Sequence, residues 1–289
     1  MVRIITKNFK TGIKMSVSDQ NLRNMYLDLM QDVITNEIYK DPPLKRKYSK
    51  RTFSAKLRAM AGIQTRYEVG HEFDKDRRDR GLDWPSVAHS MIGRKRMANL
   101  RFVMCDVIEN NVAGDFVETG VWRGGACIFA RAIMKSYGVT DRTVWVADSF
   151  AGLPEPDAET YSADKGDKHH TVSILAVSRE QVENNFRVYG LLDEQVKFLV
   201  GWFKDTLPKA PIDQVAVLRL DGDMYESTMD AMKALYHKVA PGGYVIVDDY
   251  YAVDACKQAV HDYLNEYAKG ETVDIQEIDG TGVFWQRKI

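Results

Sequence analysis

GDFVETGVWRGGACIFA, residues 114–130, is the stretch on which the fold turns. DFVET is a short apolar run that ends in an acid and a threonine. A glycine turn follows, and GACIFARAIMKSYG then reads as a helix closed by Gly138. Strand, turn and helix in that order make half of a crossover unit, because parallel strands need a helix between them. The spacing is not the dinucleotide pattern G-x-G-x-x-G. Gly120 is followed by three other residues before Gly124 and Gly125. A pyrophosphate is a poor match for this turn.

Downstream, the same grammar repeats. TVWVADS, QVKFLVGW, QVAVLRLDGD and YVIVDDY read as strands. REQVENNFRVYG, ESTMDAMKALYHKVAPGG and AVDACKQAVHDYLNEYAKG read as helices, the second of them ended by Pro241 and Gly242. VDIQEID and GVFWQRK close the chain as a hairpin. The pattern predicts an α/β fold, a mostly parallel sheet with helices on both faces.

Upstream, Leu22, Met25, Tyr26, Leu29, Met30, Val33 and Ile34 recur at helical spacing, and Pro42 and Pro43 are expected to end that helix. The basic run KRKYSKRTFSAKLR, residues 45–58, reads as a solvated helix face, because aromatic and apolar residues interrupt it. EFDKDRRDRGLDWP mixes both charges and reads as an exposed connector anchored by Trp84 and Pro85. Met25, Met30 and Met60 are expected in a helical core or under a lid. Two parts follow: residues 1–90 as a helical extension or lid, and 91–289 as the sheet domain.

Composition narrows the function. The chain has 289 residues, with 40 Lys and Arg against 41 Asp and Glu. So even a balance gives no reason to expect nucleic acid or an anionic membrane surface as a partner. The three cysteines, Cys105, Cys127 and Cys256, are scattered, which fits neither a disulfide frame nor a zinc cluster and suits a reducing cytoplasm. No stretch approaches ~20 consecutive apolar residues, so no membrane span is expected.

In an open parallel sheet, ligands bind beyond the carboxyl ends of the strands. Acids recur at those ends: Glu118 after the first, Asp148 after the second, Asp221 and Asp223 after the fourth, Asp248 and Asp249 after the fifth. The glycines let the backbone approach a ligand, and a helix N-terminus favours an anionic group. Glu118 beside that turn would repel a pyrophosphate but suits a zwitterionic amino acid, its carboxylate on the helix and its ammonium on Glu118. Asp148 can accept both hydroxyls of a ribose. An amino acid joined to a ribonucleoside describes S-adenosylmethionine. On the other side, Asp221, Asp248 and Asp249 brought together would repel one another unless a cation lay among them. Oxygen ligands alone indicate a hard ion, Mg²⁺ first, with Mn²⁺ or Ca²⁺ as alternatives. Asp223, just ahead of YESTMDAM, is also placed to cap the helix that follows.

GDFVETGVWRGGACIFARAI, RTVWVADSFAGLPEPD, LDWPSVAHSMIG and LRLDGDMYESTMDAMKALYHKVAPGGYVIVDDYYAVDACKQAV together closely resemble the macrocin O-methyltransferase family. The resemblance runs from about residue 18 to 287. It implies a Rossmann-like class I methyltransferase fold with a seven-stranded sheet and an N-terminal helical extension. It also implies S-adenosylmethionine and Mg²⁺ as cofactors, and sugar hydroxyls of natural products, in antibiotic biosynthesis, as acceptors. Carried over by motif, cofactor contacts fall on Glu118, Thr119, Gly120, Trp122 and Gly124, and on Asp148, Ser149 and Phe150. Ser90, Met91, Gly201 and Trp202 are expected to join them. The metal ligands fall on Asp221, Asp248 and Asp249.

The sulfonium methyl is already activated, so the enzyme must align an acceptor oxygen and help remove its proton. Asp221 is the first choice of base. His169 or His170, in SADKGDKHHTVS, is the rival, and His170 is expected beside Asp221 as the catalytic histidine. The expected acceptor is a glycosylated natural product or a similar vicinal diol. The alternatives are a catechol-like phenol as acceptor, or a non-catalytic protein that binds the cofactor. A nicotinamide dehydrogenase is disfavoured by the glycine spacing and by the lack of a Tyr-x-x-x-Lys pair. The apolar load of the N-terminal helices predicts that they pack across the interface of a homodimer or larger homo-oligomer, or fold over the acceptor as a lid.

Overall fold

The computed structural model describes residues 17–46 and 67–288. The basic run is therefore mostly outside the described residues, and Met60 wholly so. Among the described residues the helices are α1 (Val17–Ile34), α2 (Lys75–Asp79), α3 (Gly93–Glu109), α4 (Gly125–Ser136), α5 (Arg179–Val188), α6 (Phe203–Thr206), α7 (Tyr225–Leu235) and α8 (Asp254–Tyr267). Strands β1 (Leu44–Arg46) and β2 (Tyr67–Val69) form a small antiparallel ladder. The large sheet holds β3 (Asp115–Thr119), β4 (Val144–Asp148), β5 (Val196–Val200), β6 (Val215–Leu220), β7 (Val239–Val247), β8 (Gln276–Glu277) and β9 (Val283–Gln286). Its spatial order is β5-β4-β3-β6-β7-β9-β8. The first five strands in that order run parallel, and β9 runs antiparallel to both its neighbours. This is the mostly parallel sheet that the sequence pattern predicts, with the seven strands that the resemblance implies.

The strands are apolar throughout because both faces are covered. Phe116, Val144, Val146, Val217 and Ile246 point to one face, where Leu100, Ile128, Phe129 and Phe186 from α3, α4 and α5 cover them. Their chain neighbours Val117, Trp145, Leu218, Val245 and Val247 point to the other, under Met232, Leu235, Val260 and Tyr263 from α7 and α8. The period of two sends alternate residues into two separate cores. Helix α1 adds Leu27, Met30 and Ile34 to the first core.

Four local expectations are corrected. Helix α1 stops at Ile34, well before Pro42, and the turn that follows puts Asn36 and Lys40 at positive φ. Helix α7 ends at Leu235, and Pro241 and Gly242 lie inside β7 instead. The register between β6 and β7 shifts between Val215 and Val217, and this irregularity accommodates the proline in a strand. The charged connector is also less exposed than its composition suggests. It contains α2, and Arg78 on that helix is fully buried. Among the methionines, Met30 is core, whereas Met25 is exposed on the outer face of α1. Among the described residues no helix is long and apolar enough to cross a membrane.

Candidate active site

A cavity of about 420 Å³ opens beyond the carboxyl ends of β3, β4, β6 and β7. Its floor is the glycine turn. Gly120 takes φ +85°, and a Cβ there would collide with the backbone oxygen of Asp221, so the β3 and β6 ends approach as closely as they do only through glycine. Gly124, at φ +83°, caps α4 without any side-chain hydrogen bond. The first amides of α4, at Gly125 and Ala126, therefore line the cavity at a helix N-terminus, where an anionic group is favoured.

Asp148 is held by the turn itself. Its two carboxylate oxygens accept the backbone N–H groups of Val121 at 2.8 Å and Phe150 at 2.7 Å. Burial raises its pKa, and those two N–H groups pull it back down. Glu118 is deeper, 1% exposed. Arg219 donates to one of its oxygens at 2.5 Å and the Cys127 thiol to the other at 2.7 Å. Burial pushes Glu118 up to about 7 against the pull of Arg219. Glu118 thus meets the cavity with both oxygens already partnered, and Arg219 shares its charge.

The opposite wall is strongly acidic. Asp221, Asp248 and Asp249 each offer an oxygen within 4.8 Å of the others. Arg219 bonds Asp221 at 2.7 Å and also bonds Asp248, whose second oxygen is taken by Arg96. Arg96 reaches Asp279 too, at 3.0 Å. Among the described residues no donor reaches the carboxylates of Asp249 or Asp223. Burial, then the neighbouring acids, raise the pKa of Asp249 well above the carboxylate range. Asp223 is pushed up to about 7, chiefly by burial and next by Asp221. It does not cap α7, because Asp164 accepts the N–H groups of Tyr225 and Glu226 at 2.7 and 3.0 Å. Five acids, Glu118, Asp221, Asp223, Asp248 and Asp249, thus face two arginines, Arg96 and Arg219. The donor set fits a hard divalent cation: oxygen ligands only, more acids than arginines, and in Asp249 a carboxylate that no donor among the described residues reaches.

Most of the residues singled out from sequence line this one cavity: Ser90, Met91, Glu118, Gly120 and Trp122 on one side, Asp148, Ser149, Gly201 and Trp202 beyond them, and Asp221, Asp248 and Asp249 opposite. Thr119, Gly124 and Phe150 do not. Thr119 is buried in the sheet, Gly124 shapes the turn from behind, and Phe150 packs on Phe198 at 5.9 Å. The histidine pair also divides. His169 lines the cavity and bonds Asp167 at 2.6 Å, which raises its pKa. His170 is exposed and outside the lining. The short 3-10 turn over His169–Thr171 sends adjacent side chains in different directions. Arg96 and Arg219 escaped the sequence reading altogether. The one available signal was a lone arginine inside the apolar strand VAVLRL, a buried charge that demands acidic partners.

A family model for Macrocin-O-methyltransferase (TylF) matches residues 23–287. The chain belongs to this family. It is an S-adenosylmethionine-dependent O-methyltransferase. It is 52% identical over 268 residues to the 8-demethyl-8-(2,3-dimethoxy-alpha-L-rhamnosyl)-tetracenomycin-C 4'-O-methyltransferase of Streptomyces olivaceus, covering 92% of this chain and 94% of that one. It is 50% identical over 265 residues to the demethyldecarbamoylnovobiocin O-methyltransferase of Streptomyces niveus, covering 91% and 94%. Among solved structures, the O-methyltransferase NovP matches with a TM-score of 0.81 at 48% identity, over 92% of this chain and 100% of NovP.

Proposed function

We propose that this enzyme transfers the methyl group of S-adenosylmethionine to a hydroxyl of a sugar carried by a natural product, with Mg²⁺ at the acidic wall. The observation that carries this reading is the meeting, in one cavity, of the Asp148 glycine turn and the Asp221, Asp248 and Asp249 cluster. The rhamnosyl group named for the Streptomyces olivaceus relative supports a sugar acceptor.

In this reading the amides of Gly125 and Ala126 take the carboxylate of the cofactor. Asp148, already fixed by two backbone N–H groups, has lone pairs left for the ribose hydroxyls. Ser90, Met91, Trp122 and Trp202 wall the cofactor and exclude water. Asp221, Asp248 and Asp249 would hold Mg²⁺, which when bound lowers the pKa of the acceptor hydroxyl and fixes its position. The chemistry is a displacement in which the new oxygen–methyl bond forms as the sulfur–methyl bond breaks. It leaves S-adenosylhomocysteine, and the hydroxyl proton passes to a base. Asp221 is that base in our reading, and His169, oriented by Asp167, is the rival that the geometry favours over His170. A vicinal diol suits the acidic wall, because its second hydroxyl gives Asp223 or Asp249 a group to orient. The exposed Leu22, Met25 and Leu29 on α1 support a homo-oligomer, which light scattering would test.

The function is tested by methyl transfer from labelled S-adenosylmethionine to a phenolic α-L-rhamnoside, its 4-deoxy analogue and a simple catechol. Transfer to the rhamnoside, lost in chelator and restored by Mg²⁺, is the expected result. Full transfer in excess chelator would remove the metal, and transfer to the catechol alone would replace the sugar.

A further inference from the structure

A second cavity, of about 720 Å³, lies beside the first. The two meet at Leu82, Trp84 and His169, which line both. One side of the second cavity is built by Pro43, Leu44 and Tyr67 around the β1–β2 ladder, and the other by Thr171 and Val172. The rings of Tyr67 and Trp84 lie 5.6 Å apart, tilted by 44°. None of the clustered acids lines this space. Charges of both signs, Lys45, Arg77 and Lys168 with Glu72 and Asp74, sit exposed along its edge, and Asp83, also in the lining, is paired with Arg78, so a ligand there needs no net charge.

Size separates the roles of the two cavities. A pocket for one drug-sized ligand is roughly 300–1,000 Å³. The first cavity, at about 420 Å³, has a cofactor and a sugar to hold, and little space beyond them. A large group attached to that sugar must leave the first cavity. The second cavity joins the first at Leu82, Trp84 and His169, and so offers that group a place. Its aromatic pair and apolar sides (Leu44, Leu82, Val172) suit a flat ring system better than a second sugar.

We propose that this groove binds the non-sugar part of the acceptor, an apolar aromatic ring system packed against Tyr67 and Trp84. The sugar then extends past His169 to the acidic wall. The inference rests on the methyltransferase reading above. It also makes Tyr67 and Val172, neither of which lines the first cavity, determinants of acceptor choice.

Two variants test it: Tyr67→Ala, which removes half of the aromatic pair, and Val172→Trp, which fills the groove. The probes are a hydroxyanthraquinone α-L-rhamnoside, methyl α-L-rhamnoside and the free hydroxyanthraquinone. With the anthraquinone glycoside, Tyr67→Ala should raise KM about three- to tenfold, the worth of one aromatic contact, and Val172→Trp should raise it further. Neither should change kcat, the affinity for S-adenosylmethionine or the KM for the methyl rhamnoside. A fall in general stability would move both acceptors together. The free anthraquinone, titrated calorimetrically into the cofactor-loaded enzyme, should bind the wild type and not Val172→Trp. That binding with no methylation of either rhamnoside would sink the sugar reading and leave the groove standing. Equal KM changes for the two rhamnosides, or anthraquinone binding that is absent or indifferent to both variants, would overturn the groove.

Discussion

Two fully buried arginines, Arg78 on α2 and Arg219 on β6, are surrounded in opposite ways. Arg78 is closed. Its Nε donates to both oxygens of Asp83 at 2.9 and 3.1 Å, its Nη1 to Asp41 at 2.8 Å and the Thr35 carbonyl at 2.9 Å, and its Nη2 to the Asp41 carbonyl at 2.9 Å. The free oxygen of Asp41 then takes the Val87 N–H at 2.7 Å. Nothing in that cluster is left to bind a ligand. Arg219 is crowded by three acids, Glu118, Asp221 and Asp248, while Asp223 and Asp249 lie nearby with no donor among the described residues. A buried ion pair that satisfies itself ties segments together. One with surplus charge facing a cavity is waiting for something from outside the chain.

The sharpest test of this contrast is Asp249→Asn. It removes an unpaired acid, so the fold should lose nothing, and Tm should hold or rise. Turnover should fall by more than the ~10–100-fold typical of losing a group behind a metal ligand. Calorimetry should show S-adenosylmethionine binding nearly intact. A variant that keeps wild-type turnover would make the acidic wall a structural cluster like that of Arg78.

Arg78→Met should behave the other way. Leaving Asp41 and Asp83 buried without their partner should cost about 3–5 kcal/mol of stability. Denaturant unfolding would read this as a lower midpoint. The kcat per folded molecule should stay near wild type at low temperature. A large fall in kcat at unchanged stability would mean that the Arg78 cluster acts on the chemistry.

The contrast also explains what the sequence made legible. Apolar runs broken by a terminal acid are conspicuous, so Glu118, Asp148, Asp221, Asp248 and Asp249 stood out, and each lines the cavity. Glycine spacing announced the turn because only glycine tolerates the approach of β3 to β6. The arginines were hidden because each also needs a remote partner, Arg78 with Asp41 37 residues away and Arg219 with Glu118 101 away, while the near ones, Asp83 and Asp221, read as ordinary polar neighbours. No local period records such pairs. Pro241 misled because a proline after a helical pattern reads as a stop, whereas a shift in strand register had absorbed it. His169 and His170 were indistinguishable because a single 3-10 turn decides which of them faces inward.

On the cofactor side, Asp148→Ala should weaken S-adenosylmethionine binding by about 1–3 kcal/mol, the cost of leaving buried polar partners unmet. It strands the N–H groups of Val121 and Phe150 as well as the ribose hydroxyls, and metal affinity should not change. Isothermal titration reads both ligands. Unchanged cofactor affinity would take Asp148 out of the site.

The smallest effect is the pH dependence of stability with and without Mg²⁺, and its sign differs between the two arginine clusters. Glu118 titrates near 7 in the folded chain against 4.5 for the free side chain, so between those values the native state binds more protons than the unfolded one. Stability without metal should therefore fall as pH rises from about 4.5 to 7, and Asp223, also near 7, steepens the fall. Asp41 has the opposite shift, lowered in the folded state mainly by Arg78 and the Val87 N–H against the cost of burial. Its contribution is present above the unfolded value of 3.8 and is lost only as pH falls through the lower folded value. Mg²⁺ must displace protons from the acidic wall, so it should bind weakly near pH 5 and well near pH 8. At a tenfold excess over its Kd the ion should add about 1.4 kcal/mol, a rise of a few degrees in Tm. The increment should appear at pH 8, shrink towards pH 5 and vanish in Asp249→Asn at every pH. In Arg78→Met it should persist in full, because that cluster has no vacancy for a cation. An increment that is the same at pH 5 and pH 8, or that survives Asp249→Asn, would place the ion elsewhere and remove the functional half of the contrast.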